Sequence, residues 1–300
     1  MKILVTGSNG LLGQKLVRLL KAKSDVTLIA ASRGQNRIAD KAGYAFEELD
    51  ITDPSAVERI MSRHKPHAVI HTAAMTQVDL CESRQAECWK TNVESVRSFV
   101  RECQKHGTRL IQISSDFIFD GTSGPYREGD PPNPLNFYGR SKLAAEELLL
   151  ASSIPWTLLR TILVYGLAEN RPRPNVVLWV KESLEKGRKI RVVKDQLRMP
   201  TLAEDLAWVS SAAATKGAGG IYHVSGGEMM SIFELARQTA DFFGLDPALI
   251  EPVGSEELAE PARRPLKTGF ILKKACRDLD YRPRSFREGL AVIKDQLGSS

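Results

Sequence analysis

The chain has 300 residues, 42% hydrophobic and 26% charged, with 22 Gly and 15 Pro. A chain of this length buries about 75% of its unfolded surface, so it needs no metal or disulfide staple, and its composition excludes intrinsic disorder, collagen and coiled coil. The 42 basic and 36 acidic residues give a net charge of +6, spread along the chain, which suits an anionic small molecule rather than nucleic acid.

The N-terminal MKILVTGSNG reads as the start of a strand; its apolar run is too short for a signal peptide. No window approaches the ~20 apolar residues of a bilayer span. A cytoplasmic protein without membrane contact is expected. The strand candidates of the first half are 2–6, 26–31, 46–50, 67–72 and 110–115, separated by helical stretches at 11–22, 57–61 and 93–106. Leu12, Leu16, Leu19 and Leu20 share one face of the first helix. Strand–helix–strand repeated with right-handed crossovers predicts an α/β fold, a Rossmann-type doubly wound parallel sheet.

A proline-rich loop, 122–136, precedes a helix at 138–152, and 156–166 reads as one further strand. Helices near 175–187, 202–214, 231–243 and 286–297, with strands at 190–193 and 220–225, form a smaller C-terminal substrate lobe. The expected division is 1–165 for the cofactor and catalytic groups and 166–300 mainly for substrate, interleaved with segments returning to the sheet. Cys81, Cys88, Cys103 and Cys276 lack CxxC spacing and read as free thiols; His64, His67, His71, His106 and His223 lack ligand spacing, so no metal site is expected.

The first strand runs into Thr6-Gly7-Ser8-Asn9-Gly10-Leu11-Leu12-Gly13 and then a helix. In that context Gly7 takes a tight turn, Gly10 admits a pyrophosphate to the backbone, and Gly13 lets helix and strand pack closely. About 20 residues on, an acid would select a 2′-hydroxyl and an Arg a 2′-phosphate. The sequence there is Ala31-Ser32-Arg33-Gly34, which selects NADPH, with NADH as the alternative. Tyr138 and Lys142 stand at i and i+4 on one helical face, where an ammonium would lower the phenol pKa toward the working range. Ser115 ends the fifth strand at the carboxyl edge of the sheet, where its hydroxyl can hold a substrate carbonyl oxygen.

These motifs, with LDITD (49–53), HTAAMTQVDLCE (71–82), Asn92, SSDFIFDG (114–121), NPLNFYGRSK (133–142), LLRTILVYG (158–166) and MPTLAEDLA (199–207), resemble the extended short-chain dehydrogenase/reductase family over nearly the whole chain. Within it, the likeness is to the dTDP-4-dehydrorhamnose reductases. The resemblance implies a Ser115, Tyr138 and Lys142 catalytic set, with Tyr138 as proton donor and Lys142 also holding the nicotinamide ribose. It implies a pyrophosphate loop of Gly7, Asn9, Gly10, Leu11 and Gly13, an adenine edge at Asp50 and Ile51, a cofactor turn at Ala73 and Ala74, and a structural role for Asn92.

Two departures fall on the expected sugar side. Leu163 stands where these reductases usually carry Trp, and Phe117 where Tyr is common. Thr76, Asp79, Glu82, Asp116, Leu163 and Gln196 are candidates to line that side, and Arg171, Arg173, Lys181, Arg198, Arg263 and Arg264 to meet a diphosphate. The expected activity is reduction of a nucleotide-activated 4-keto-deoxysugar in a dTDP-rhamnose type of pathway. A sugar-nucleotide epimerase, another keto-reductase and a non-catalytic NADP-binding regulatory subunit are the alternatives, and a homodimer is the assembly considered.

Overall fold

A computed structural model describes residues 1–170 and 174–298. The chain lays down β1 (Lys2–Thr6), α1 (Leu11–Lys21), β2 (Thr27–Ser32), β3 (Ala45–Glu48), α2 (Pro54–His64), β4 (Ala68–His71), α3 (Val78–Ser83) and α4 (Gln85–Trp89). A π-helical turn, Lys90–Glu94, leads into α5 (Ser95–His106), β5 (Arg109–Ser115), α6 (Phe137–Leu150) and β6 (Trp156–Thr161). Then come β7 (Val164–Tyr165), α7 (Val176–Glu185), β8 (Ile190–Val193), β9 (Leu197–Arg198), β10 (Thr201–Leu202), α8 (Ala203–Lys216) and β11 (Gly220–Val224). The last elements are β12 (Met230–Ser231), α9 (Ile232–Phe243), β13 (Ile250–Val253), α10 (Lys273–Leu279) and α11 (Phe286–Gly298).

Seven strands form one sheet in the order β11-β6-β5-β4-β1-β2-β3, and all its pairings are parallel. This is the doubly wound order of dinucleotide-binding folds with one strand added, and its direction reverses between β1 and β4. Both faces are covered, which explains why the strands read as apolar runs rather than alternating ones. Ile3 and Val5 face a core built with Leu16 and Leu20 of α1, Leu206 and Val209 of α8 and Leu279 of α10. Leu4 faces the opposite core, with Met61 of α2, Phe99 of α5 and Leu149 of α6. Leu12 and Leu19 pack at the margin of the first core.

The stretch 156–166 is not one strand. Leu163 has a left-handed φ of 40°, which breaks the extended chain into β6 and β7, and β7 leaves the sheet to pair with β10. Beyond it, α8 and β11 return to the sheet. Val177 of α7, Leu235 of α9, and Phe286, Leu290 and Ile293 of α11 form a separate apolar cluster, and Val180, Ile190, Val192, Ala236 and Ile250 form another.

α6 is fixed to the sheet by a buried ion pair. Glu146 of α6 meets Arg160 of β6 at 2.7 Å, with side chains 1% and 4% exposed. The Ser114 hydroxyl donates to the same carboxylate, and Arg160 also donates to the Glu128 carbonyl at 3.0 Å. Removing one member strands the other in the interior. Arg160→Met, which keeps the bulk of the side chain and drops its charge, is expected to cost about 3–5 kcal/mol, read as a lower urea midpoint at unchanged m-value.

Candidate active site

At the carboxyl end of β1 the chain turns through Gly7 at φ +67°, where an added Cβ would lie 2.7 Å from the Ala73 amide nitrogen. Only glycine satisfies that turn and that approach together. α1 then begins at Gly10 without a side-chain cap or an acid in its first turn, so its leading N–H groups are open to an anion. The Ser8 hydroxyl is buried with no hydrogen-bond partner among the described residues. These features fit the pyrophosphate of a dinucleotide at the reversal of strand order.

Asn9 acts differently from a simple loop residue. Its amide donates to the Gln35 carbonyl at 2.8 Å and its side-chain oxygen accepts from the Arg37 amide at 2.9 Å, so it clips the segment after β2 to the phosphate loop. Leu11 is buried. Ser32 is half-buried and Arg33 exposed on the clipped segment. Asp50 accepts from the Thr52 amide at 2.9 Å, which holds its carboxyl below the usual range; Ile51 beside it is buried. Ala73 and Ala74, half-buried, follow β4.

The catalytic candidates converge at the ends of β5 and α6. Asn136 caps α6, accepting from the Gly139 amide at 2.8 Å, and Glu82 accepts from the Phe137 amide at 2.8 Å. The helix presses on the turn after β5 so closely that a Cβ on Gly139 would stand 2.1 Å from the Phe117 carbonyl oxygen. Tyr138 is thereby set beside Ser115, in an apolar cluster with Cys81 and Cys88 and edge-on to Phe117 at 5.7 Å. Asn92 ties this wall together, donating to the Met75 carbonyl and the Ser141 hydroxyl at 3.0 Å each.

Tyr138, Lys142 and Glu146 follow at i+4 intervals on one buried face. Burial pushes the Tyr138 phenol above its ordinary pKa; the Ser115 hydrogen bond opposes this rise and the Asp116 charge adds to it. The expectation that the ammonium lowers the phenol into the working range is therefore reversed in this structure. Lys142 instead donates to the Ile113 carbonyl at 2.7 Å, and its own pKa falls to about 8, through burial first, with Glu146 opposing. The site thus holds a neutral phenol beside a lysine that titrates near neutrality.

The sugar-side candidates divide. Asp116 is buried, accepting from Ser115 at 3.1 Å and from Thr268, with Arg198 at 3.8 Å; these partners hold it inside the protein. Asp79 is bound to Arg264 at 2.8 Å, Glu82 is spent on the α6 cap, and Gln196 is buried. Thr76 is exposed. Leu163 is half-buried, packing at the margins of two apolar clusters. Among the basic candidates, Lys181 pairs with Glu185 and Arg264 also with Glu260, while Arg198 donates to the Pro265 carbonyl at 2.7 Å. Arg263 is exposed, and its carbonyl accepts from Asn136 at 2.8 Å, so it stands at the start of the Tyr138 helix. Arg171 and Arg173 lie outside the described residues.

Sequence reasoning missed the carboxylates that matter here. Glu146 has the i+4 spacing from Lys142 as its signal, and Glu48 is in register with Ser32 once β2 and β3 are paired. Among the described residues no group of three or more His, Cys, Asp or Glu could hold a metal ion, and no helix is long and apolar enough to cross a membrane.

The strand order, the glycine loop at its reversal and the Ser/Tyr/Lys convergence define an extended short-chain dehydrogenase/reductase-like fold. The chain belongs to the RmlD substrate binding domain family, which it matches over residues 1–298. It is 32% identical to a dTDP-4-keto-6-deoxy-D-glucose reductase of Streptomyces niveus, covering 88% of this chain and 86% of that one. It is also 32% identical to methionine adenosyltransferase 2 subunit beta of Bos taurus, covering 84% and 75%. The solved structure of dTDP-4-dehydrorhamnose reductase from Bacillus anthracis str. Ames in complex with NADP is 28% identical, with a TM-score of 0.83 over 98% of this chain and 99% of that one.

Lys142 carries charge below about pH 8 and loses it above, whereas Tyr138 stays protonated throughout. The value of kcat/KM for NADPH is therefore expected to hold on the acid side and fall as pH rises through about 8. In Lys142→Met this limb should vanish and the whole profile should lie low.

Proposed function

We propose that the chain is an NADPH-dependent reductase of the 4-keto group of a nucleotide-activated deoxysugar, dTDP-linked. The observation that carries this reading is the Tyr138 phenol, kept neutral by burial, beside the Ser115 hydroxyl at the carboxyl edge of the sheet. The family membership, the NADP complex of the Bacillus anthracis protein and the keto-reductase relative support it.

In this reading Gly7, Asn9, Gly10, Leu11 and Gly13 hold the pyrophosphate, Ser32 and Arg33 the adenosine ribose, Asp50 and Ile51 the adenine, and Ala73 and Ala74 the cofactor's inner side. When bound, NADPH supplies a hydride to the carbonyl carbon. Ser115 orients and polarises the keto oxygen. Tyr138 gives its proton to that oxygen, so ketone, hydride and proton become an alcohol. The phenolate left behind is a new buried anion, and Lys142, one helical turn on, offsets it and holds the nicotinamide ribose. Residues 1–165 carry this chemistry and 166–300 most of the sugar-nucleotide contacts. We assign the protein to the cytoplasm as a homodimer, to be checked as a sedimentation mass of twice 33.2 kDa.

NADPH absorbance with candidate substrates tests the reading. A dTDP-4-keto-6-deoxysugar should oxidise NADPH stoichiometrically, and the free sugar hardly at all, because the diphosphate supplies much of the binding and fixes the carbonyl. An epimerase would consume no net NADPH. Tyr138→Phe should lower kcat at least tenfold, about 1.4 kcal/mol, with NADPH affinity retained. Arg263→Ala should raise KM for the sugar nucleotide more than it lowers kcat. The likeness to methionine adenosyltransferase 2 subunit beta, a protein named as one subunit of a transferase, favours the second reading, a non-catalytic NADP-binding subunit. NADPH binding with no turnover of any nucleotide keto-sugar would place that reading first.

A further inference from the structure

The end of β2 carries no acid, yet the folded sheet brings one there. β3 lies parallel to β2 with Ser32 opposite Glu48, and Glu48 Oε1 accepts from the Gly34 amide at 3.2 Å. Gly34 has a φ of +72°, a left-handed turn open to glycine, so the segment turns its amide toward the neighbouring strand. The segment is also fixed, because Asn9 clips Gln35 and Arg37 to the phosphate loop. A cavity of about 700 Å³ opens at this point, lined by Gly34, Gln35, Asn36, Lys41, Tyr44 and Glu48 among others. An exposed cation at Lys41 and a carboxylate at Glu48 thus share one depression, with Arg33 exposed at the strand end.

We propose that Glu48 is a cofactor-selectivity residue: its carboxylate holds the backbone donor at the end of β2, accepts a free 2′-hydroxyl, and repels a 2′-phosphate. Arg33 and Lys41 draw the phosphorylated cofactor while Glu48 opposes it, so the two cofactors bind with a narrow ratio. This rests on the dinucleotide reading above and adds a selectivity that the β2 end alone misses. Glu48 takes no part in the proposed proton transfer.

The experiment is titration of the full chain and of Glu48→Gln with NADPH and with NADH, at low and at high salt. Glu48→Gln keeps the side-chain length and is expected to tighten NADPH by roughly fivefold and weaken NADH by about twofold, widening the ratio about tenfold, with a smaller change at high salt. Arg33→Ala should move the ratio the other way. A ratio unchanged by Glu48→Gln, or equal shifts for both cofactors, overturns the proposal while the dinucleotide reading stands. Failure of the wild-type chain to bind either cofactor overturns both.

Discussion

The backbone contact between α6 and the turn after β5 governs the rest of the site. Gly139 has no side chain, and the Phe117 carbonyl takes the space where one would be. That approach sets the first turn of a helix against the end of a central strand, so a phenol on one and a hydroxyl on the other meet without reaching across solvent. Everything that fixes α6 serves this contact: the Asn136 cap, the Glu82 carboxylate on the Phe137 amide and the Glu146–Arg160 pair. A closely packed interior transmits small displacements, so a shift at the buried end of α6 would be felt at Tyr138.

Burial then decides the electrostatics. The same packing that places Tyr138 removes it from water, which disfavours a phenolate and keeps the proton on oxygen. Lys142 experiences the opposite consequence of the same burial, since it is its charged form that is disfavoured. Glu146, one further turn along, offsets part of that cost while being held by Arg160. The three residues form a polar ladder on one helix face, in which the structural pair and the proposed chemistry share a carboxylate.

The proposed sugar side is assembled from far-separated segments. Asp116 at the end of β5 is met by Thr268 and Arg198, and Asp79 of α3 by Arg264, so the C-terminal chain closes over the carboxyl edge of the sheet. Most of the charges there are consumed in this closure, whereas Arg263, whose carbonyl accepts from the α6 cap Asn136, stays exposed. Leu163, in place of an aromatic residue, bends the chain away from the sheet and contributes apolar surface.

The sequence by itself determined whatever depends on chain neighbours. The parallel α/β order, the glycine loop leading into α1, the end of β5 at Ser115 and the i+4 spacing of Tyr138 and Lys142 follow from backbone periodicity and hydrogen-bond geometry, which repeat over a few residues. The break after β6 was not legible, because its apolar run fits a strand until Leu163 takes a left-handed conformation. Only the tertiary structure decided which charges meet. It turned the Asn9 side chain to clip the segment after β2, brought Glu48 to an end of β2 that has no acid of its own, bound Asp116 inside the protein, and raised the phenol that a neighbouring lysine alone would lower. The pKa of a buried group depends on the groups packed around it and on its distance from water, and residues far apart in the chain set both.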